Sequence, residues 1–431
     1  MVDALVRRLG AREVVRFGGG PQAAHRVVAP DGATHVFAQF GAGLLVPGTR
    51  CRIARGMLVD PPALLHEAAA LAAVGVPAAL TQLTVDPRCR VVTPIQKLVG
   101  QMRELARGAR RHGSCGRGVG EAVSDAQALG TQAPVFADLL DPARLSAKLG
   151  FLRSLKLDHG EQIADAGHGA PGLQERLDAI RRLDVRKLAA EFHGIAAESG
   201  LRIEPDEALA GSLRRGDPIV FEGAHGVLLD PDRGFAPHVT ATDTTWQPAL
   251  ALITELAPAA RPFRLGVLRA YATRHGAGPF PTEDATLALP DSANTANDWQ
   301  GPLRLGWPDL LLARYAAAVC GGLDGLAVTC LDRAPALAPL RAAVAYRLAS
   351  PAPRLFDTTP EDPLHAVAIR VTPQPDAALT GALGSVQPLW RDVGSAEALV
   401  GLLASRDGLG VPVIAACHGE TAPETAWRSF P

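Results

Sequence analysis

The stretch from Pro218 to Thr245, PIVFEGAHGVLLDPDRGFAPHVTATDTT, constrains this chain more than any other. Its first residues, Pro218-Ile219-Val220-Phe221, form an apolar run of the length of a buried strand, and the run stops at Glu222-Gly223. Where the side chains shrink, a ligand can approach the backbone. Beyond that point Gly226, Asp230, Asp232 and Gly234 mark tight turns, and Thr240, Thr242, Thr244 and Thr245 offer hydroxyls just ahead of an apolar helix predicted over Pro248 to Leu256. This is how an anion-binding crevice is built at the carboxyl end of a strand in an open α/β sheet.

Such a sheet needs a large core. The 431 residues, 47% hydrophobic and 20% charged, can bury one as a single large α/β domain or as two to three units. No apolar run reaches the length of a membrane span, and the opening MVDALVRRLGA lacks the apolar core of a signal peptide, so a cytoplasmic location and no membrane partner are expected. The formal charge is −1 with both signs interspersed, which leaves no footprint for nucleic acid; any phosphate binding must be local. Six cysteines, Cys51, Cys89, Cys115, Cys320, Cys330 and Cys417, are scattered without a paired spacing, against a structural zinc site or a disulfide framework. Most are expected to be small buried hydrophobes, with Cys115 and Cys417 beside glycines in candidate ligand loops.

In chain order, a short helix is predicted over Ala4 to Leu9 and a strand over Glu13 to Phe17, which opens into Gly18-Gly19-Gly20-Pro21-Gln22-Ala23-Ala24-His25. Glycines there let a ligand touch backbone N–H groups while the imidazole acts on it, although a plain turn reads equally well. A strand is predicted from His35 to Leu45, helices over Pro62 to Val74 and Lys97 to Arg107, and a short strand from Arg90 to Pro94. The polar run Arg111 to Asp125 reads as an irregular loop, its glycines closing over an anion with Ser114 and Arg117 as donors. Amphipathic helical stretches over Pro142 to Leu155 and Leu173 to Ala197 form a layer, and Phe263 to Ala270, Leu326 to Thr329 and Val411 to Ala416 read as later strands, the first of them buried.

Several of these segments resemble the adenylosuccinate synthetase family. FEGAHGVLLDPDRGFAPHVTATDTT resembles its FEGAQG, Leu-Leu-Asp and PxVTSSNTT run, VRFGGGPQAAH its VRFxGGNNAGHT, HGSCGRGVG its TTGRGIG, and YATRHGAGPFPTE its YxTRVGxGPFPTE. The resemblance implies one domain over 1–431, a large, mostly parallel central sheet with helical layers related to the P-loop NTPases, a helical subregion at about 97–215 and a guanine-binding portion at about 325–431. It implies a homodimer and a catalytic role for His25. Gln22, Ala23, Ala24, His25, Ser114, Cys115, His225 and Thr240 would line the site of an IMP-like nucleotide, His225 standing where the family has glutamine. Mg²⁺ would meet the Ala24 backbone carbonyl.

Toward the C-terminus, Cys330-Leu331-Asp332 is similar to the family's guanine-reading TKLD, and Cys417-His418-Gly419 to its STGP end. With Ala24 and Arg26 these residues would bind GTP, Asp332 accepting from the guanine N1–H and N2–H. Asn297 to Trp307 falls where the family's TTGRPRRCGW recognises aspartate; of that arginine cluster only Arg304 remains, in the candidate amine loop Trp299, Gln300, Gly301, Pro302, Leu303 and Arg304. The family's GDEGKGK loop, which carries the catalytic base, has no counterpart in the sequence. That loop is expected ahead of Met1; a chain that had lost it would bind nucleotides without catalysis. The expected activity is a GTP-dependent purine nucleotide ligase that joins IMP, or a similar 6-oxopurine nucleotide, to L-aspartate or another amine through a 6-phosphoryl intermediate.

Overall fold

The structure, a computed structural model, describes residues 1–167, 169–289, 299–372 and 374–428. The chain divides into two compact units, one made of Val2–His225 with Thr240–Ala260, the other of Gly226–Val239 and Arg261–Pro431 together with Met1.

In the first unit, strands β1 (Glu13–Arg16), β2 (Arg50–Ile53), β3 (Leu83–Val85), β4 (Arg202–Ile203) and β5 (Ile219–Glu222) form one sheet in the order β4-β3-β2-β1-β5. All pairings are parallel. Val14, Val15 and Ile53 are fully buried, as strands covered on both faces require. Helices α1 (Val2–Leu9), α2 (Pro61–Ala73), α3 (Pro94–Arg107), α4 (Val119–Leu129), α5 (Pro142–Ala166), α6 (Leu173–Arg182) and α7 (Val185–Glu198) surround it. In the second unit β6 (Leu265–Arg269), β7 (Gly325–Thr329) and β8 (Val413–Cys417) run parallel, and β9 (Thr425–Trp427) joins β8 antiparallel. The expected α/β class, with parallel sheet and surrounding helices, is what the chain adopts.

Local departures from the sequence reading have local causes. Helix α3 begins three residues early because Thr93 and Gln96 form a reciprocal capping box. The loop expected through Asp125 becomes helical at Val119, where Val119, Ala122 and Val123 bury one face. The stretch 173–197 splits after Arg182, and the Asp184 side chain caps α7 by accepting from the N–H groups of Arg186 and Lys187. The strand expected to run to Leu45 ends at Phe37. Gly41 and Gly43 then turn against β1 and α1, where a Cβ would come within 2.7 Å of Val14 and 2.6 Å of Val6. Strand β6, expected to be buried, is an edge strand with Val267 52% exposed, since an apolar run does not distinguish a centre from an edge.

The helical layer is pinned by charge. Lys156 on α5 is 2% exposed, and its Nζ lies 2.7 Å from both Glu121 and Asp125 on α4. Asp125 also accepts from Gln96 of α3 at 2.8 Å. Lys156→Met removes the counter-charge of buried Asp125, which keeps the Gln96 amide, and one of the two cations on Glu121, which keeps Arg103, and is expected to destabilise the fold by about 3 kcal/mol in chemical denaturation. Adding Glu121→Gln and Asp125→Asn is expected to recover most of that loss.

Candidate functional site

Strands β1 and β5 end on opposite charges. Arg16 and Glu222 are register partners at the last positions of the two strands, both buried away from water. The Arg16 Nη1 donates to Glu222 Oε1 at 3.2 Å, and the guanidinium also reaches the carbonyls of Ala38 at 3.3 Å and Phe40 at 3.5 Å. The Ala42 N–H donates to Glu222 Oε2 at 2.8 Å. His25 completes the group: Nδ1 lies 2.5 Å from Glu222 Oε1, and Nε2 3.2 Å from the Ala224 carbonyl. Burial alone would raise the Glu222 pKa, but the charges of Arg16 and His25 with the Ala42 N–H outweigh it and hold the carboxylate below its ordinary range.

Glycines bring His25 there. From β1 the chain passes through Phe17 into Gly18-Gly19-Gly20 and returns in strand His25–Val28, paired antiparallel with Thr34–Phe37. Gly19 has φ +79°, and a Cβ on it would lie 2.3 Å from the Cβ of Ala224, so only glycine permits this contact between the two strand ends. Gly20 is closed in by Val119 at the start of α4 and by Gln22.

Nine buried polar atoms among the described residues of this unit lack a hydrogen-bond partner, and three of them are Gln22 Oε1, His225 Nδ1 and Thr242 Oγ1. Gln22 borders Gly20, His225 borders Gly19, and Asp243 borders Gly18, so two of these three atoms belong to side chains flanking the glycine turn and the third lies one residue from another. Unsatisfied buried groups gathered at one turn mark a place that a polar ligand completes. Of the residues read from the sequence, Gln22, Ala23, Ala24, His25 and His225 therefore gather here, with Ala24 exposed and Ala23 buried. Thr240 is half-buried at the start of the segment leading to Thr242. Ser114 and Cys115 stand in the loop before α4, which Glu104 organises by accepting from the N–H groups of Gly113 at 3.2 Å and Ser114 at 3.3 Å. Burial raises the Cys115 thiol above its ordinary pKa.

The sequence reading missed Arg16 and Glu222 as a pair. The signal was available: each is a charge at the end of an apolar run predicted to be buried, and a buried charge needs a counter-charge.

In the second unit β7 and β8 are neighbours, and the residues that follow them come together at their carboxyl ends. Cys330 takes a left-handed conformation, φ 60°, at the turn into Leu331 and exposed Asp332. Cys417 ends β8 and accepts from the Thr425 hydroxyl at 3.5 Å, followed by exposed His418 and by Gly419, whose missing side chain leaves room for the Glu424 carboxylate. Ala24 and Arg26, read with them for GTP, belong to the first unit.

Trp299, Gln300, Gly301 and Pro302 lead into strand Leu303–Gly306, which pairs antiparallel with Ala272–His275; Asn297 and Asp298 lie outside the described residues. Arg304 is held by its own chain. It pairs with Glu283, donates to the carbonyls of Gly276 at 3.1 Å and Gly278 at 2.9 Å, and stacks over Phe280. For Mg²⁺ the named residues supply one donor, the Ala24 carbonyl, and no group of three or more His, Cys, Asp or Glu able to hold a metal occurs among the described residues. Mg²⁺ is ordinarily held by one or two carboxylates with waters and phosphates, so these residues do not by themselves make its site.

His225 sets the acid behaviour of this corner. Burial, then the charges of Arg16 and His25, push its pKa from 6.5 down to about 4. Between those values the unfolded chain takes up a proton that the folded chain refuses, so stability falls as pH drops from 6.5 toward 4. Thermal unfolding followed across that range is expected to show a loss of up to about 3 kcal/mol from this group. His225→Gln should flatten it.

Comparison with known proteins agrees with this geometry. A model of the adenylosuccinate synthetase family matches residues 1–372. The adenylosuccinate synthetase of Myxococcus xanthus is 36% identical over 359 residues, 81% of this chain and 77% of that protein. That of Anaeromyxobacter sp. strain K is 35% identical over 382 residues, 86% and 82%. Among solved structures, the fully ligated adenylosuccinate synthetase of Plasmodium falciparum superposes with a TM-score of 0.71 at 16% identity, covering 99% of this chain and 96% of that one. The cyanophage S-2L succinoaminodeoxyadenylate synthetase PurZ, bound to dGMP and dATP, gives 0.58 at 17% identity, covering 99% and 91%. With its strand-end charges, glycine turn and family-wide sequence match taken together, the chain belongs to the adenylosuccinate synthetase family.

Proposed function

We propose that this chain is a GTP-dependent purine nucleotide ligase in which His25 meets the reacting oxygen of IMP or a similar 6-oxopurine nucleotide. The observation that carries the reading is the seating of His25: its ring is tied to a buried carboxylate at the strand ends, beside a glycine turn flanked by side chains with unsatisfied buried atoms. Family membership supports the two-step chemistry. As N1 of the nucleotide gives up its proton, the γ-phosphoryl group of GTP passes to O6, leaving GDP; an amine then attacks C6, phosphate departs with its electron pair, and the amine nitrogen sheds a proton.

In this reading Gln22, Ala23, Ala24, His225 and Thr240 bind the nucleotide, with Ser114 and Cys115 presented by the loop that Glu104 holds. A donor on His25 stabilises negative charge gathering on the transferred group and leaving phosphate. Cys330, Leu331, Asp332, Cys417, His418 and Gly419 bind GTP. Asp332 reads the guanine edge. Mg²⁺ accompanies GTP, with Ala24 offering its carbonyl. The amine is L-aspartate or another amine bound near Trp299 to Arg304. Because Arg304 is committed to Glu283 and two carbonyls, it adds little carboxylate recognition unless it exchanges those partners. The proposal extends to a single working domain over 1–431 with a helical subregion at about 97–215 and a guanine-binding portion at about 325–431, a cytoplasmic homodimer. No helix among the described residues is long and apolar enough to cross a membrane.

The test supplies IMP, GTP, Mg²⁺ and a panel of amines, aspartate included, to the 431-residue chain and to the same chain extended by any in-frame coding sequence ahead of Met1. Phosphate release that needs both nucleotides and one amine is the expected result, with His25→Ala lowering kcat on the order of 100-fold or more. No release from either chain with any amine would leave a nucleotide-binding protein without catalysis. In the active protein Asp332→Asn is expected to raise KM for GTP about tenfold or more with little change in kcat, since it removes a charged acceptor from the base and nothing from the reacting centre.

A further inference from the structure

Glu222 is a buried carboxylate to which the proposed chemistry assigns no part. Two of its contacts come from elsewhere in the fold. Arg16 supplies the counter-charge to Oε1 at 3.2 Å, and the Ala42 N–H satisfies Oε2 at 2.8 Å. The third contact, 2.5 Å from Oε1 to His25 Nδ1, reaches a side chain that is 32% exposed and stands at the first position of a hairpin strand. Folding alone does not require so close a bond to a half-exposed ring.

We propose that Glu222 is a positioning residue for His25, fixing the proton on Nδ1 and aiming Nε2 at the ligand. A histidine whose one nitrogen donates to a carboxylate has its ring plane set by that bond, and a second N–H at the other nitrogen is then aimed outward as a donor. The other nitrogen is then the one free to act. Here Nε2 rests 3.2 Å from the Ala224 carbonyl, longer than the bond at Nδ1, on a backbone that Gly19 holds in place. A ligand oxygen can take over that partner while the bond to Glu222 persists. Arg16 completes the device by keeping Glu222 ionised inside the protein, so the carboxylate accepts from His25 rather than competing to donate. The inference rests on the reading of His25 as the residue that meets substrate.

Long-range proton–nitrogen spectra of the full chain, labelled with ¹⁵N-histidine and assigned with His25→Gln, test the geometry without turnover. The expected spectrum shows His25 protonated on Nδ1. A neutral ring protonated on Nε2 alone overturns the inference. In the active protein Glu222→Gln is expected to lower kcat on the order of 100-fold, while KM for both nucleotides stays within about threefold. In a His25→Ala background the same change is expected to cost little more, because it acts through the missing ring. If His25→Ala itself leaves kcat unchanged, the reading of His25 is wrong. If instead Glu222→Gln is equally harmful with and without His25, that reading stands and the positioning role falls. Should Glu222→Gln not fold because Arg16 loses its counter-charge, the His25 spectrum of the unmodified chain decides alone.

Discussion

The pairing of Arg16 with Glu222 is the interaction on which the rest of the first unit's site depends. Two parallel strands present their last residues side by side, and these are a guanidinium and a carboxylate with no access to water. Either charge alone in that position would cost several kcal/mol. Together they offset one another, with the carbonyls of Ala38 and Phe40 accepting from Arg16 and the N–H of Ala42 donating to Glu222, while the Arg16 Nε keeps no hydrogen-bond partner. The same contacts fix the turn after Phe37, since the backbone of 38–42 is bound to both members of the pair. The adjoining Glu67 carboxylate accepts from the N–H groups of Ala38, Gln39 and Phe40, so the turn is held from two sides by buried acids.

That rigidity gives the exposed part of the site its precision. His25 is partly open to solvent, yet its ring is referenced to the sheet through Glu222 and to the β5 exit through Ala224. His225, one residue on, experiences the same group as a field: burial with two nearby positive charges keeps it neutral to well below its ordinary range. A neutral imidazole presents one donor and one acceptor, so it can offer one bond of each kind where the family's pattern has a glutamine amide with two N–H donors and a carbonyl.

The second unit solves a different problem at its strand ends. Cys330 accepts a left-handed turn and Gly419 leaves room for the Glu424 carboxylate, so the chain reverses tightly after both β7 and β8. Arg304 meanwhile acts as a strut for the YATRHGAGPFPTE segment, bridging Glu283 and the carbonyls of Gly276 and Gly278. The side chain that remains from an arginine cluster in the family's pattern thus has a structural employment in this chain, which is why its presence does not in itself establish recognition of an acidic amine.

The sequence carried the class of the fold chiefly through the motifs it shares with the adenylosuccinate synthetase family, with strand-length apolar runs and amphipathic helices in keeping with it. His25, the glycine turn and the 218–245 stretch were legible as candidates, because glycine runs and strand ends are local signals. What the sequence did not determine were contacts between residues far apart along it. Arg16 and Glu222 are separated by 206 positions, and no local pattern announces that their strands are neighbours. Burial at the edge of a sheet was equally hidden: Val267 looks like any core valine until strand order places β6 at the rim. The onset of α4 inside a glycine-rich run was decided by the face Val119, Ala122 and Val123 bury. Local chemistry specifies turns and periodicity; only tertiary packing pairs a buried charge with its partner, and in this protein that pairing sets where the site's histidine points.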